Sequence, residues 1–150
     1  MTSSSGDITH VSDTAHWVAY YRALESERPD ALFRDRHARE LAGPKGRAIA
    51  ESMSSMRGSA GAWPMVVRTK LMDDAIERAV REGEVDTVLN LAAGLDARPY
   101  RLALPLSLRW IEVDLPPMIE YKRTILGRDS PVCALEIGRA SCRERVYVLV

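Results

Sequence analysis

The sequence predicts an α/β protein of Rossmann-like type, with helices first and the opening strands of a parallel sheet after them. Three observations carry this. Thr87-Val88-Leu89-Asn90-Leu91 is a short apolar run rich in strand formers, and it breaks at the small residues Ala92-Ala93-Gly94. A second run, Trp110-Ile111-Glu112-Val113, ends on an acid, Asp114. Before both runs, apolar residues recur at helical rather than strand spacing. Strand, tight turn, short helix, strand and acid is the layout of a nucleoside-binding βαβ unit, whose acid accepts hydrogen bonds from ribose hydroxyls.

The elements follow in order. Residues 1–12 are polar, and Ser12-Asp13-Thr14 is a helix start signal. Trp17, Tyr20, Tyr21 and Leu24 then fall at i, i+3, i+4 and i+7, an aromatic face expected to pack on a core. Pro29-Asp30 opens a second predicted helix, Ala31 to Leu41, ended by Gly43-Pro44. Residues 45–62 hold one short helix with Ala48, Ile49 and Met53 inward, and 54–61 read as a loop. The clearest helix is Pro64 to Glu82, with Met65, Thr69, Met72, Ile76 and Ala79/Val80 as its buried stripe and Gly83 as its cap. Arg68 lies beside that stripe. After Asp114, Leu115-Pro116-Pro117 opens a helix that runs to Gly127, and Pro131 to Leu135 begins a third strand.

The glycine pattern bears on which nucleoside would fit. A dinucleotide fold uses G-x-G-x-x-G so that pyrophosphate can rest on bare backbone at a helix N-terminus. Two of those glycines are missing here, and Asp96 follows the turn where a phosphate would meet repulsion. A phosphate-free ligand with a cationic centre fits better, and S-adenosylmethionine is one. A purely structural βαβ unit and a dinucleotide site are the alternatives.

The segment also resembles a known family, the leucine carboxyl methyltransferase-like branch of class I S-adenosylmethionine-dependent methyltransferases. That hallmark reads roughly L-G-A-G-x-D-T-R-x-Y/W-R-L, then E-V-D-x-P and a lysine. This chain has Leu91-Ala92-Ala93-Gly94-Leu95-Asp96-Ala97-Arg98-Pro99-Tyr100-Arg101-Leu102, then Glu112-Val113-Asp114-Leu115-Pro116, then Lys122. Ala92 stands where the hallmark has glycine, and Asp35-Arg36-His37 replaces a usual aspartate-proline-aromatic turn. The resemblance runs from about Thr14 to about Leu135. It implies a class I methyltransferase fold, S-adenosyl-L-methionine as cofactor, and an O-methyl acceptor that is a small molecule or carboxylate. It implies cofactor contacts at Ala92, Ala93, Gly94, Asp96, Asp114 and Leu115, and it matches Arg68 to the arginine that holds the cofactor's carboxylate. It also implies that the N-terminal helices help cover the cofactor. Asp96 is left between facing the cationic region and capping the next helix. Arg98 and Arg101 are expected to pair with Asp96 or Asp114 in a structural role. No general base can be nominated.

Composition excludes several other classes. The chain has 21 basic and 21 acidic residues, so no net charge marks a nucleic-acid partner. Cys133 and Cys142 form neither a metal spacing nor a disulfide framework, and His10, His16 and His37 read as surface or capping residues rather than metal ligands. No run is long enough for a membrane span, and the N-terminus lacks the features of a secretion signal, so a cytoplasmic enzyme with no membrane partner is expected. The competing functions are a nicotinamide-dependent oxidoreductase and a non-catalytic partner-binding module.

The C-terminal stretch departs from this pattern. Ile137-Gly138-Arg139-Ala140-Ser141-Cys142-Arg143-Glu144-Arg145-Val146 is similar to the conceptual translation of a widely used DNA sequencing adapter. Three arginines also enter where a buried strand should continue. Residues 137–150 are therefore expected to be a non-native tail, packed poorly or extended away, and the rest carries a net charge of −2. The expected organisation is a helical cap over 1–62, the N-terminal half of a cofactor-binding domain over 63–136, and the tail. The fold is then incomplete, with strands 1 and 2 and the start of strand 3.

Overall fold

The computed structural model describes residues 12–57, 62–127, 133–135 and 146–149. The chain divides into two compact units, one ending at Lys70 and the other beginning at Leu71. The predicted loose start of the chain, with His10, and the second half of the predicted 54–61 loop lie outside the described residues.

In the first unit, α1 (Asp13–Ser26) begins where the start signal predicts. Its buried side is not the aromatic stripe. Tyr21 is buried, but Trp17 and Tyr20 are half-buried and Leu24 is 39% exposed. Asp13, Ala19, Arg22, Ala23 and Glu25 are buried instead. Arg22 and Glu25 turn inward because the following segment needs them. Arg22 Nε donates to Asp35 Oδ2 at 2.9 Å, and Glu25 Oε1 accepts the Leu32 amide at 2.7 Å. Ser26 Oγ accepts the Asp35 amide at 2.8 Å.

Those bonds also explain why the predicted helix from Ala31 does not form. Amides that a helix would use internally are taken by α1 side chains, which offer the backbone an alternative to helix. Asp35 adds a local turn, its Oδ1 accepting the His37 amide and its carbonyl accepting the Ala38 amide. Helix α2 (Ala38–Arg57) therefore starts only at Ala38. It breaks at Gly43 (φ 57°, ψ −172°) before Pro44, so the predicted Gly43-Pro44 stop appears as a kink between two helical pieces. The second piece is longer than expected, reaching Arg57, with Ile49 fully buried. Helix α2 packs on α1, and Gly46 permits the approach: a Cβ there would lie 2.9 Å from the His16 carbonyl carbon. The His16 ring Nδ1 bonds the Ala42 carbonyl (3.1 Å) at the kink, a capping role as predicted.

Helix α3 (Trp63–Arg81) begins in the first unit and ends in the second. Gly83, at φ 69°, closes it with a two-bond cap: its amide reaches the Val80 carbonyl at 3.1 Å and that of Glu84 reaches Ala79 at 3.0 Å. In the second unit, Met72, Ile76 and Val80 of this helix pack with Val88, Leu104, Leu108 and Trp110.

The sheet contains β1 (Thr87–Leu91), β2 (Arg109–Val113), β3 (Cys133–Leu135) and β4 (Val146–Leu149) in the order β3-β2-β1-β4, every pair parallel. Between the strands run α4 (Arg98–Arg101) and α5 (Pro116–Leu126). This is the predicted α/β Rossmann-like arrangement. Register pairs Asn90 with Glu112 and Leu91 with Val113, so both strands end side by side. One expectation fails. Val146–Leu149 do not extend away but pair with Thr87–Asn90. An open edge of β1 would present unpaired amides and carbonyls, and Val-Tyr-Val-Leu is a sequence that readily supplies the missing ladder.

Candidate functional site at the carboxyl end of the first two strands

The turn after β1 owes its shape to two left-handed residues, Ala92 and Gly94, each at φ 52°. Gly94 takes this conformation without steric penalty, whereas Ala92 does not, and it is the one non-glycine residue at positive φ among the described residues. The end of β2 holds the turn. The Ala93 amide donates to the Val113 carbonyl at 3.2 Å, and the Gly94 amide donates to Asp114 Oδ2 at 2.6 Å. Asp114 Oδ1 accepts the Leu115 amide at 2.6 Å, at the start of α5. An ionised carboxylate has about four acceptor positions, so Asp114 keeps capacity for further hydroxyl donors.

Six of the seven predicted site residues thus gather in one place: Ala92, Ala93, Gly94, Asp96, Asp114 and Leu115. Ala92 and Leu115 are exposed, Ala93 is buried, and Gly94, Asp96 and Asp114 are half-buried. Arg68 lies on the exposed side of α3, in the first unit.

Asp96 adopts the capping geometry. Its Oδ1 accepts the Arg98 amide at 2.9 Å, opening α4. Its Oδ2 accepts Asn90 Nδ2 at 2.9 Å and Arg98 Nη1 at 2.6 Å. Arg98 also donates from Nε to Asp73 Oδ1 at 2.7 Å, and Arg101 Nη2 binds both oxygens of Asp73 at 2.7 and 2.8 Å. Burial by itself would lower the Arg98 pKa; Asp96 and Asp73 override it and raise it. The expected structural pairing of the two arginines with Asp96 is therefore present for Arg98. Asp73, rather than Asp114, is the second carboxylate of Arg98 and the one that Arg101 binds.

Beneath the turn sits a second buried pair. Lys122 Nζ donates to both oxygens of Glu112 at 2.7 Å, with neither side chain exposed. The ammonium also lies 5.8 Å from the centre of the Tyr100 ring. Burial pushes the Glu112 carboxyl up, Lys122 pulls it down, and the nearby Asp96 charge adds to the rise; the net direction is upward.

Sequence reasoning named Glu112 and Lys122 only as hallmark positions and missed Asp73 altogether. A signal for Asp73 was present. It sits four residues after Thr69 and three before Ile76, an acid on a stripe otherwise meant for burial, and it is 3% exposed. An acid there requires a base facing it. Among the described residues no group of three histidines, cysteines or acids is placed to hold a metal ion.

A profile of the leucine carboxyl methyltransferase family matches residues 15–143, most of the chain. The chain belongs to the leucine carboxyl methyltransferase family. A Streptomyces coelicolor relative named "Putative S-adenosyl-L-methionine-dependent methyltransferase" is 41% identical over 129 residues, 82% of this chain and 45% of its own length. Relatives of the same name occur in Parafrankia, 38% identical over 131 residues (82% of this chain, 42% of that protein), and in Frankia alni, 34% identical over 145 (91% and 50%). The chain spans about half the length of these relatives. Within the leucine carboxyl methyltransferase family, this chain carries the region with the β1 turn and the acid after β2.

Proposed function

We propose that this chain is the N-terminal half of an S-adenosyl-L-methionine-dependent methyltransferase, acting on an oxygen of a small molecule or carboxylate in the cytoplasm. The observation that carries the reading is the grip of Asp114 on Gly94, which sets an acid with spare acceptor capacity beside an open, small-residue turn. The residues fit the cofactor: Ala92 and Gly94 offer accessible backbone, Asp114 would accept the ribose hydroxyls, and exposed Leu115 would meet the adenine edge. Arg68 would hold the carboxylate, and Asp96 would support the turn. Bound S-adenosylmethionine would supply a methyl group on cationic sulfur, which is already electrophilic. The protein's own work is then to bind, align and keep water out. In this reading residues 1–62 form a cap, 63–136 the first half of the cofactor domain, and 137–150 a tail foreign to the enzyme. Among the described residues no helix is long and apolar enough to cross a membrane.

The test is calorimetric titration of the full-length protein with S-adenosylmethionine, repeated on Asp114→Ala. Leaving ligand hydroxyls unpaired should weaken binding by about 1–3 kcal/mol. Equal affinities would remove Asp114 from the site, and binding of NAD in place of S-adenosylmethionine would overturn the reading itself.

A further inference from the structure

The turn from Ala92 to Ala97 is held at both ends by carboxylates, and the two ends are held differently. At its start, Asp114 grips the Gly94 amide directly. At its end, Asp96 ties itself to β1 through Asn90 and to α4 through the Arg98 amide. One side chain, Arg98, links Asp96 to α3: its guanidinium spans 2.6 Å to Asp96 and 2.7 Å to Asp73. Arg98 is only 7% exposed, so the bridge works largely out of water, where a two-pronged guanidinium fixes direction as well as charge. Arg101 Nη2 also bonds both oxygens of Asp73.

We propose that Arg98 is a positioning residue for cofactor binding: by bridging Asp96 to Asp73 it fixes the left-handed turn in the shape that presents the Ala92–Gly94 backbone to S-adenosylmethionine. This rests on the cofactor reading above. The left-handed alanine makes the brace necessary. Ala92 at φ 52° has no intrinsic preference for that well, so a turn released at Asp96 would relax out of it. Removing the guanidinium would also leave Asp96 and Asp73 sharing a buried layer with one base fewer.

The experiment compares Arg98→Met, Arg98→Lys and Arg101→Gln in the full-length protein by three measurements. These are S-adenosylmethionine affinity, thermal midpoint, and amide hydrogen exchange at Gly94 in the ligand-free protein. Arg98→Met should raise Kd by about tenfold or more and speed exchange at Gly94, with Arg98→Lys recovering part of both. Arg101→Gln should lower the midpoint while leaving Kd within about twofold of wild type. An Arg98→Met protein that binds as wild type at a lowered midpoint would overturn the proposal. So would an Arg101→Gln protein that loses as much affinity as Arg98→Met. If Arg98→Met does not fold, Asp73→Asn removes the same anchor with Arg98 in place, and unchanged exchange at Gly94 in that variant counts against the bridge. Should wild type show no affinity for S-adenosylmethionine, the cofactor reading falls, and exchange at Gly94 still decides whether Arg98 holds the turn.

Discussion

Lys122 and Glu112 meet with both carboxylate oxygens 2.7 Å from the ammonium and no solvent on either side chain. Removing one partner of such a pair leaves an uncompensated buried charge. Lys122→Met should cost about 3–5 kcal/mol of stability, while Glu112→Leu together with Lys122→Met should recover most of that loss. Denaturant unfolding of the two variants decides between them. A double variant as unstable as the single one would show that the pair is more than a balanced charge.

The same pair sets a dependence on pH. Burial holds the Glu112 carboxyl above its ordinary 4.5, so the folded state binds that proton more readily than the unfolded chain. The stability this contributes is complete below 4.5 and is lost as pH rises through the folded value. Glu112→Gln abolishes the titration. Unfolding measured across a pH series should therefore show a flatter profile above 4.5 than wild type. Parallel profiles would mean that Glu112 does not titrate differently on folding.

Ala92 makes a prediction of the opposite sign. Its left-handed backbone costs an L-residue about 1–2 kcal/mol, and glycine's extra chain freedom costs about 0.5–1 kcal/mol on folding. Ala92→Gly should therefore stabilise the protein by about 0.5–1 kcal/mol, read as a higher denaturant midpoint at unchanged slope. A loss of stability would mean that the Ala92 methyl makes packing contacts worth more than the strain.

Gly46 allows no such improvement. Its missing side chain is occupied by the His16 backbone carbonyl, which cannot swing aside as a flexible side chain would. Gly46→Ala should lower stability by about 1–3 kcal/mol despite alanine's better helix propensity. A thermal midpoint equal to or above wild type would show that α1 and α2 can separate without cost.

The Arg68 assignment is tested by keeping its charge and changing its shape. Arg68→Lys should weaken S-adenosylmethionine binding by about tenfold, because an ammonium cannot reproduce a two-pronged grip on a carboxylate. Calorimetry that finds the lysine variant as tight as wild type would return Arg68 to the role of a surface residue on α3.

Where sequence and structure agree, the signal was local. β1 matches the predicted run end for end, β2 adds only Arg109, and α3 starts and stops one residue from its predicted limits, because strand formers, proline and glycine act on their own neighbourhood. The spacing of Gly94 and Asp114 was legible for the same reason: a βαβ unit fixes it. The segment from Ala31 was misread because nothing within it shows that Arg22, Glu25 and Ser26 will claim its polar groups. Asp73 was overlooked likewise, since its partners Arg98 and Arg101 stand 25 and 28 positions away. Interactions that pair distant side chains leave only one-sided traces in a sequence.

The charges in and around the turn have a consequence for how the chain can change. Asp73, Asp96 and Glu112 are matched by Arg98, Arg101 and Lys122, and the six sum to zero. Almost every single replacement breaks that balance, and an arginine-to-lysine exchange keeps the charge but loses the fork. A replacement in α3 therefore calls for a compensating one in the turn or α4, and the reverse. A hybrid gene that joins α3 from one lineage to the turn of another, across a step of that kind, would inherit an acid with no base, even though each half came from a working enzyme.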